Sequence, residues 1–145
     1  MNDTATQPSP SGTSTALFSV LHAAHALEDK LEAALGRAEL STAKFSVLTE
    51  LVNAGKPLTL GELATRVSCV RSNMTQLVDR LEADGLVRRV HCPTDRRSVN
   101  AQITETGLVR QAHAAEEVAK LNAEFAAQLG DDHRRAIESL ERAIR

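Results

Sequence analysis

Tryptophan and tyrosine are absent from this chain and phenylalanine occurs only three times, so aromatics amount to 2% of it. A core or ligand cleft built on large rings is thereby excluded, and alanine and leucine are left to do the packing, as in helical domains. Only two cysteines occur, Cys69 and Cys92, far apart, which excludes a disulfide framework. Residues 1–14, MNDTATQPSPSGTS, have neither a basic start nor an apolar run. They are expected to be a disordered arm rather than a secretory signal, and the setting to be reduced and cytoplasmic. No stretch approaches the roughly 20 apolar residues of a membrane-spanning helix. A glycine-rich phosphate loop, a serine elbow and carboxylates at catalytic spacing are all missing, and His91 has no obvious nucleophile partner, so an enzyme is not expected and no cofactor is implied.

What is present is helical periodicity. Leu17, Val20, Leu21, Ala24, Leu27, Leu31 and Leu35 predict an amphipathic helix over 16–36, with Gly36 as its stop. Ser41 is a cap with Leu40 and Phe45 at the staple positions, and Asn53-Ala54-Gly55 ends the second helix. Thr59-Leu-Gly-Glu62 is a capping box, flanked by Leu58 and Leu63. A fourth helix over 71–83 carries its apolar stripe on Met74, Leu77, Val78 and Leu81. Residues 86–90 and 98–103 read as two strands around a proline-containing loop. Thr104 caps a long alanine-rich helix to Leu129, and Gly130-Asp131 precedes a last amphipathic helix with Ile137, Leu140 and Ile144. The expected fold is mainly α (α+β), in the order α-α-α-α-β-β-α-α, with one domain over 15–145.

A short helix, a turn, a helix with a polar face and then a hairpin is the order of a winged helix-turn-helix, expected over about 40–104. Between residues 56 and 104 eight Lys or Arg stand against five acids, although the whole chain carries a formal charge of −2. The more informative feature is the face of the fourth helix. Arg71, Ser72, Asn73, Thr75, Gln76 and Arg80 are the residue types that bond base edges or phosphates, where an idle face would more often hold Glu and Lys. The bland alternative is a solvated polar surface. In the loop, Arg96 and Arg97 follow a Pro-Thr-Asp turn; Arg97 can enter a narrow minor groove while Asp95 orients it. The bland alternative there is a surface ion pair. A winged helix can also be a protein-binding module that never touches DNA, but such a module would more often expose apolar residues at these positions.

LGELATRV at 60–67, SNMTQLVDRLEADGLVRR at 72–89, Asp95-x-Arg97 followed after five residues by Ile103-Thr104, and Glu105-Thr106-Gly107 resemble the MarR family of bacterial transcription regulators over residues 16–145. The resemblance implies a symmetric homodimer paired through dimerisation helices 16–36 and 105–145, binding a pseudo-palindromic operator in double-stranded DNA. It implies a repressor released by a small-molecule ligand, such as a phenolic or aromatic acid, or by an oxidant. Asp95 and Arg97 are then the wing pair, and Ser72, Asn73, Thr75 and Gln76 the leading groove contacts. The chain departs from the pattern at Val70, where many relatives place a capping Ser that Ser68 would have to replace, and in having no Tyr or Trp to line an effector cleft.

Two further sets of side chains are candidates. His22 and His25, three apart on the first helix, could touch a ligand, with His113 as a third donor; without clustered thiols or carboxylates no metal site is expected, and ordinary interface histidines are the plain alternative. Cys69 at the start of the fourth helix and Cys92 at the base of the wing are candidate redox residues, with small turn or core cysteines as the alternative.

Overall fold

Serine and threonine side chains start three of the helices, as the caps predict. The computed structural model describes residues 12–68, 71–91 and 99–144. Its elements are α1 (Gly12–Gly36), α2 (Thr42–Ala54), β1 (Leu58–Thr59), α3 (Leu60–Arg66), α4 (Arg71–Ala83), β2 (Val87–His91), β3 (Val99–Ile103), α5 (Glu105–Gln128) and α6 (Asp131–Ile144). Ser41 accepts a hydrogen bond from the Lys44 amide, and Gly55 closes α2 at φ +61°. Thr59 and Glu62 form the reciprocal capping box of α3. Thr104 accepts from the Gly107 amide at the start of α5. Each cap satisfies helix-end amides that would otherwise compete for water.

Three details differ from the sequence expectation. Helix α1 begins at Gly12, four residues before its expected start at Ala16, so the end of the expected arm is helical; Ser19 Oγ donates to the Thr15 carbonyl at 2.8 Å, a bond compatible with helix. The segment after Pro57 contains a strand, β1, which pairs with β3 through Leu58↔Ala101 and Thr59↔Asn100. Two residues are too few to carry a period. The third strand makes the hairpin an antiparallel sheet in the order β1-β3-β2, with Val87↔Ile103 and His91↔Val99 at the two ends of the β2–β3 register.

The core lies within the winged unit. Leu48 and Leu51 of α2, Leu58, Leu63, Met74, Val78, Leu81, Leu86 and Ala101 have almost no exposure, and Leu35 of α1 and Ala114 of α5 close it from the other side. In contrast, residues 15–30 of α1 are exposed throughout and α6 has no buried residue. Leu17, Phe18 and Leu21 on α1, and Ile137, Leu140 and Ile144 on α6, are large apolar side chains left in solvent.

The wing is seated on α5 by close backbone approach. Gly85, at φ +72°, turns the chain out of α4, and the Leu86 amide reaches back to the Leu81 carbonyl at 2.9 Å. Thr104 donates from its amide to Leu86 O at 3.0 Å and from Oγ1 to Gly85 O at 2.7 Å. A Cβ at Gly107 would lie 2.1 Å from that same Leu86 oxygen, so only glycine lets α5 pack there.

Candidate nucleic-acid interface

Helix α4 buries Met74, Val78 and Leu81 completely and exposes Ser72, Asn73, Thr75, Gln76, Asp79 and Arg80 to differing degrees. At 100° per residue, Ser72, Thr75, Gln76 and Asp79 form one stripe, with Asn73 and Arg80 along its edge. The stripe is therefore polar, short-chained and held on a backbone whose opposite side is locked in the core. Arg80 has no ionic partner among the described residues. Ser68 follows α3 at φ +54°, its amide donating to the Thr65 carbonyl. The side chain of Arg71, and Cys69, Cys92, Asp95, Arg96 and Arg97, lie outside the described residues. Residues 92–98 join two described strand ends, His91 and Val99, which are paired in register; β2, the strand that ends at His91, packs on α4.

Two arginines counted in the local basic excess are tied to acids. Arg66 Nη1 is 3.3 Å from Glu50 Oε2. Arg89 of β2 meets both acids on the C-terminal half of α4: its Nη2 is 2.5 Å from Asp79 Oδ1, its Nη1 donates to Glu82 Oε2, and its backbone amide donates to Glu82 Oε1 at 3.1 Å. Hydrogen bonding to Asp79, then to Glu82, raises the Arg89 pKa despite partial burial. Neighbouring Arg88 donates across the sheet to Gln102 at 2.9 Å. The usable positive charge is thus smaller than the residue count implies. Sequence reasoning missed this clamp, though a signal existed: acids near a helix C-terminus oppose the macrodipole and call for a nearby cation.

A second ion cluster is also absent from the sequence expectation. Glu117 of α5, 6% exposed, accepts from Lys120 Nζ at 2.6 Å and from Arg37 Nη1 at 2.7 Å. These two cations, Lys120 first, hold its carboxyl down at about 2. Lys120 is visible at i+3, but Arg37 is brought in only by the packing of α1 on α5.

The candidate histidines lie on α1 and α5. His22 and His25 are both exposed on α1, and His25 Nδ1 lies 3.2 Å from Glu28 Oε2. His22 borders an open groove along α1 with Phe18 and Ser19, and His113 is exposed on α5. Among the described residues no group of three or more His, Cys, Asp or Glu is arranged to hold a metal ion, and no helix is long and apolar enough to cross a membrane. A cleft of about 300 Å³ lies between α2, β3 and α5, walled by Leu51, Val52, Pro57, Ile103 and Leu108, with Lys56 and Gln102 also lining it.

Comparison with known proteins settles the lineage of this scaffold. Residues 40–99, from the staple of α2 to the start of β3, match the profile of the MarR family. The HTH-type transcriptional regulator MhqR of Bacillus subtilis is 33% identical over 106 residues, which are 69% of this chain and 72% of that protein. The chain belongs to the MarR family. As a MarR-family chain it shares its fold with solved regulators: the transcriptional repressor CouR bound to a 23-mer DNA duplex superposes with a TM-score of 0.79 at 28% identity, covering 95% of this chain and 99% of that one. AbsC, a MarR family transcriptional regulator from Streptomyces coelicolor, superposes with a TM-score of 0.80 at 26% identity, covering 96% and 95%. These relatives are transcriptional regulators, not enzymes. The matches span about half the length of several other curated relatives.

Proposed function

We propose that this MarR-family chain is a homodimeric, sequence-specific DNA-binding regulator of transcription, acting as a repressor that an effector releases. The observation that carries the reading is the exposed Ser72–Thr75–Gln76 stripe beside the strands of the wing: one element suited to the major groove and one suited to the flanking minor groove, on a common rigid core. In this reading Ser72, Asn73, Thr75 and Gln76 read base edges, Arg71 and Arg80 meet phosphates, and Arg96 and Arg97, with Asp95 orienting Arg97, enter the minor groove. That a relative of the same fold is bound to DNA supports it. The exposed apolar faces of α1 and α6 support pairing of two copies, because a lone chain gains nothing from leaving Phe18, Leu140 and Ile144 in water. The cleft beside Lys56 has the size and the cation for a small phenolic or aromatic acid effector. His22 and His25 would then be interface histidines or ligand contacts, and Cys69 and Cys92 the residues through which an oxidant could act.

The experiment is selection of duplexes from a random-sequence library followed by gel shift. Gln76→Ala and Asn73→Ala should change the preferred bases more than the overall affinity, whereas Arg97→Ala should weaken every duplex. Failure to enrich any duplex would overturn the reading. Stabilisation of the protein by phenolic acids in a thermal-shift series tests the effector.

A further inference from the structure

We propose that Arg89 is a positioning residue for DNA binding: by gripping Asp79 and Glu82 it fixes the root of the wing against α4 and neutralises the Asp79 carboxylate, which would otherwise face the duplex. The proposal rests on the reading of α4 and the wing as the DNA-binding surface.

Three contacts join Arg89 to α4, two from the guanidinium and one from the backbone amide. The amide contact makes the link directional, since it ties the strand itself and not only a flexible side chain. Arg89 pairs with Ala101 in the central strand β3, so the grip on β2 is passed to the whole sheet. A planar fork can hold two carboxylates at once, which an ammonium cannot do with the same geometry. Asp79 lies on the same stripe as Ser72, Thr75 and Gln76, and its side chain is 56% exposed. Without its cation it would present negative charge where phosphates approach, and like charges there cost binding. Arg89 itself is largely covered, its side chain 29% exposed, with its charge committed to the two acids.

The test is a mutant cycle on the full chain, with a labelled duplex selected from a random-sequence library as probe. Arg89→Gln should weaken binding about tenfold in the wild-type background and less than about twofold in Asp79→Asn/Glu82→Gln, as coupled residues do. In the Asp79→Asn/Glu82→Gln background Arg89→Gln should leave the slope of affinity against salt unchanged, because no phosphate contact is lost and no carboxylate is left unpaired. Arg89→Lys should fall between, and reads the same cycle if Arg89→Gln does not fold. An equal loss in both backgrounds, with a reduced salt slope, would mean that Arg89 touches DNA directly and would overturn the proposal. No loss in either background would overturn it too, while leaving DNA binding intact. If the wild-type chain bound no duplex, the DNA-binding reading would fail and this proposal with it.

Discussion

Arg37 and Glu117, eighty positions apart in the chain, meet with 2.7 Å between Nη1 and Oε2. With Lys120 on the other carboxylate oxygen, this contact ties the end of α1 to the middle of α5. Arg110 and Glu39, 2.6 Å apart, make a second tie between α5 and the turn after α1. Helices α1 and α5, which lie outside the winged core, are thus fastened to each other partly by ions.

Glu117 gives this a pH dependence with a definite sign. Its folded-state pKa is about 2 against an ordinary 4.5, so the unfolded chain takes up the proton first as pH falls. The contribution is complete above about 4.5 and is lost progressively down to about 2. Urea denaturation between pH 7 and pH 3 (roughly the range of carboxylate titration) should show Glu117→Gln with a flatter acid limb, the slope reduced by about one proton. An unchanged slope would contradict the pairing.

Gly107→Ala should be costly. The added methyl would stand 2.1 Å from the Leu86 carbonyl oxygen, a backbone atom that also receives the Thr104 amide. A loss of about 2 kcal/mol or more is expected, measured by chemical denaturation. A neutral result would mean that α5 does not start against the Leu86 backbone.

At the start of α3, Thr59→Ala removes the cap acceptor and should cost about 1 kcal/mol. Leu63→Ala, which empties a fully buried position in the same helix, should cost about 2–5 kcal/mol. Denaturation midpoints check both, and the order of the two losses is the informative part.

Charged replacements at Leu17 and Ile144 should yield monomers by light scattering, with weakened DNA binding. Both side chains are exposed in the single chain, so little loss of monomer stability is expected. A dimer of unchanged mass would contradict the proposed seam.

Local chemistry is legible in the sequence wherever one short segment contains the whole signal. Ser41, Thr59 and Thr104 announce their helices because a cap and its amide lie within three residues. The stripe of α4 is legible because helical geometry alone brings Met74, Val78 and Leu81 to one side. What cannot be read there depends on partners distant in sequence. Strand β1 exists because β3 offers it an edge, Arg89 is bound because β2 folds onto α4, and Glu117 stays charged at low pH in part because α1 delivers Arg37. Gly107 belongs to a legible motif, but the reason for it, the Leu86 oxygen, belongs to another element.

If a polar helix face and a basic wing grip DNA together, salt titration of binding is the most direct test. With a labelled duplex selected from a random library, the logarithm of affinity should fall linearly with the logarithm of salt concentration, and Arg97→Ala should reduce that slope by about one. Binding that is insensitive to salt, or an Arg97→Ala variant with wild-type affinity and slope, would contradict a joint grip by helix and wing.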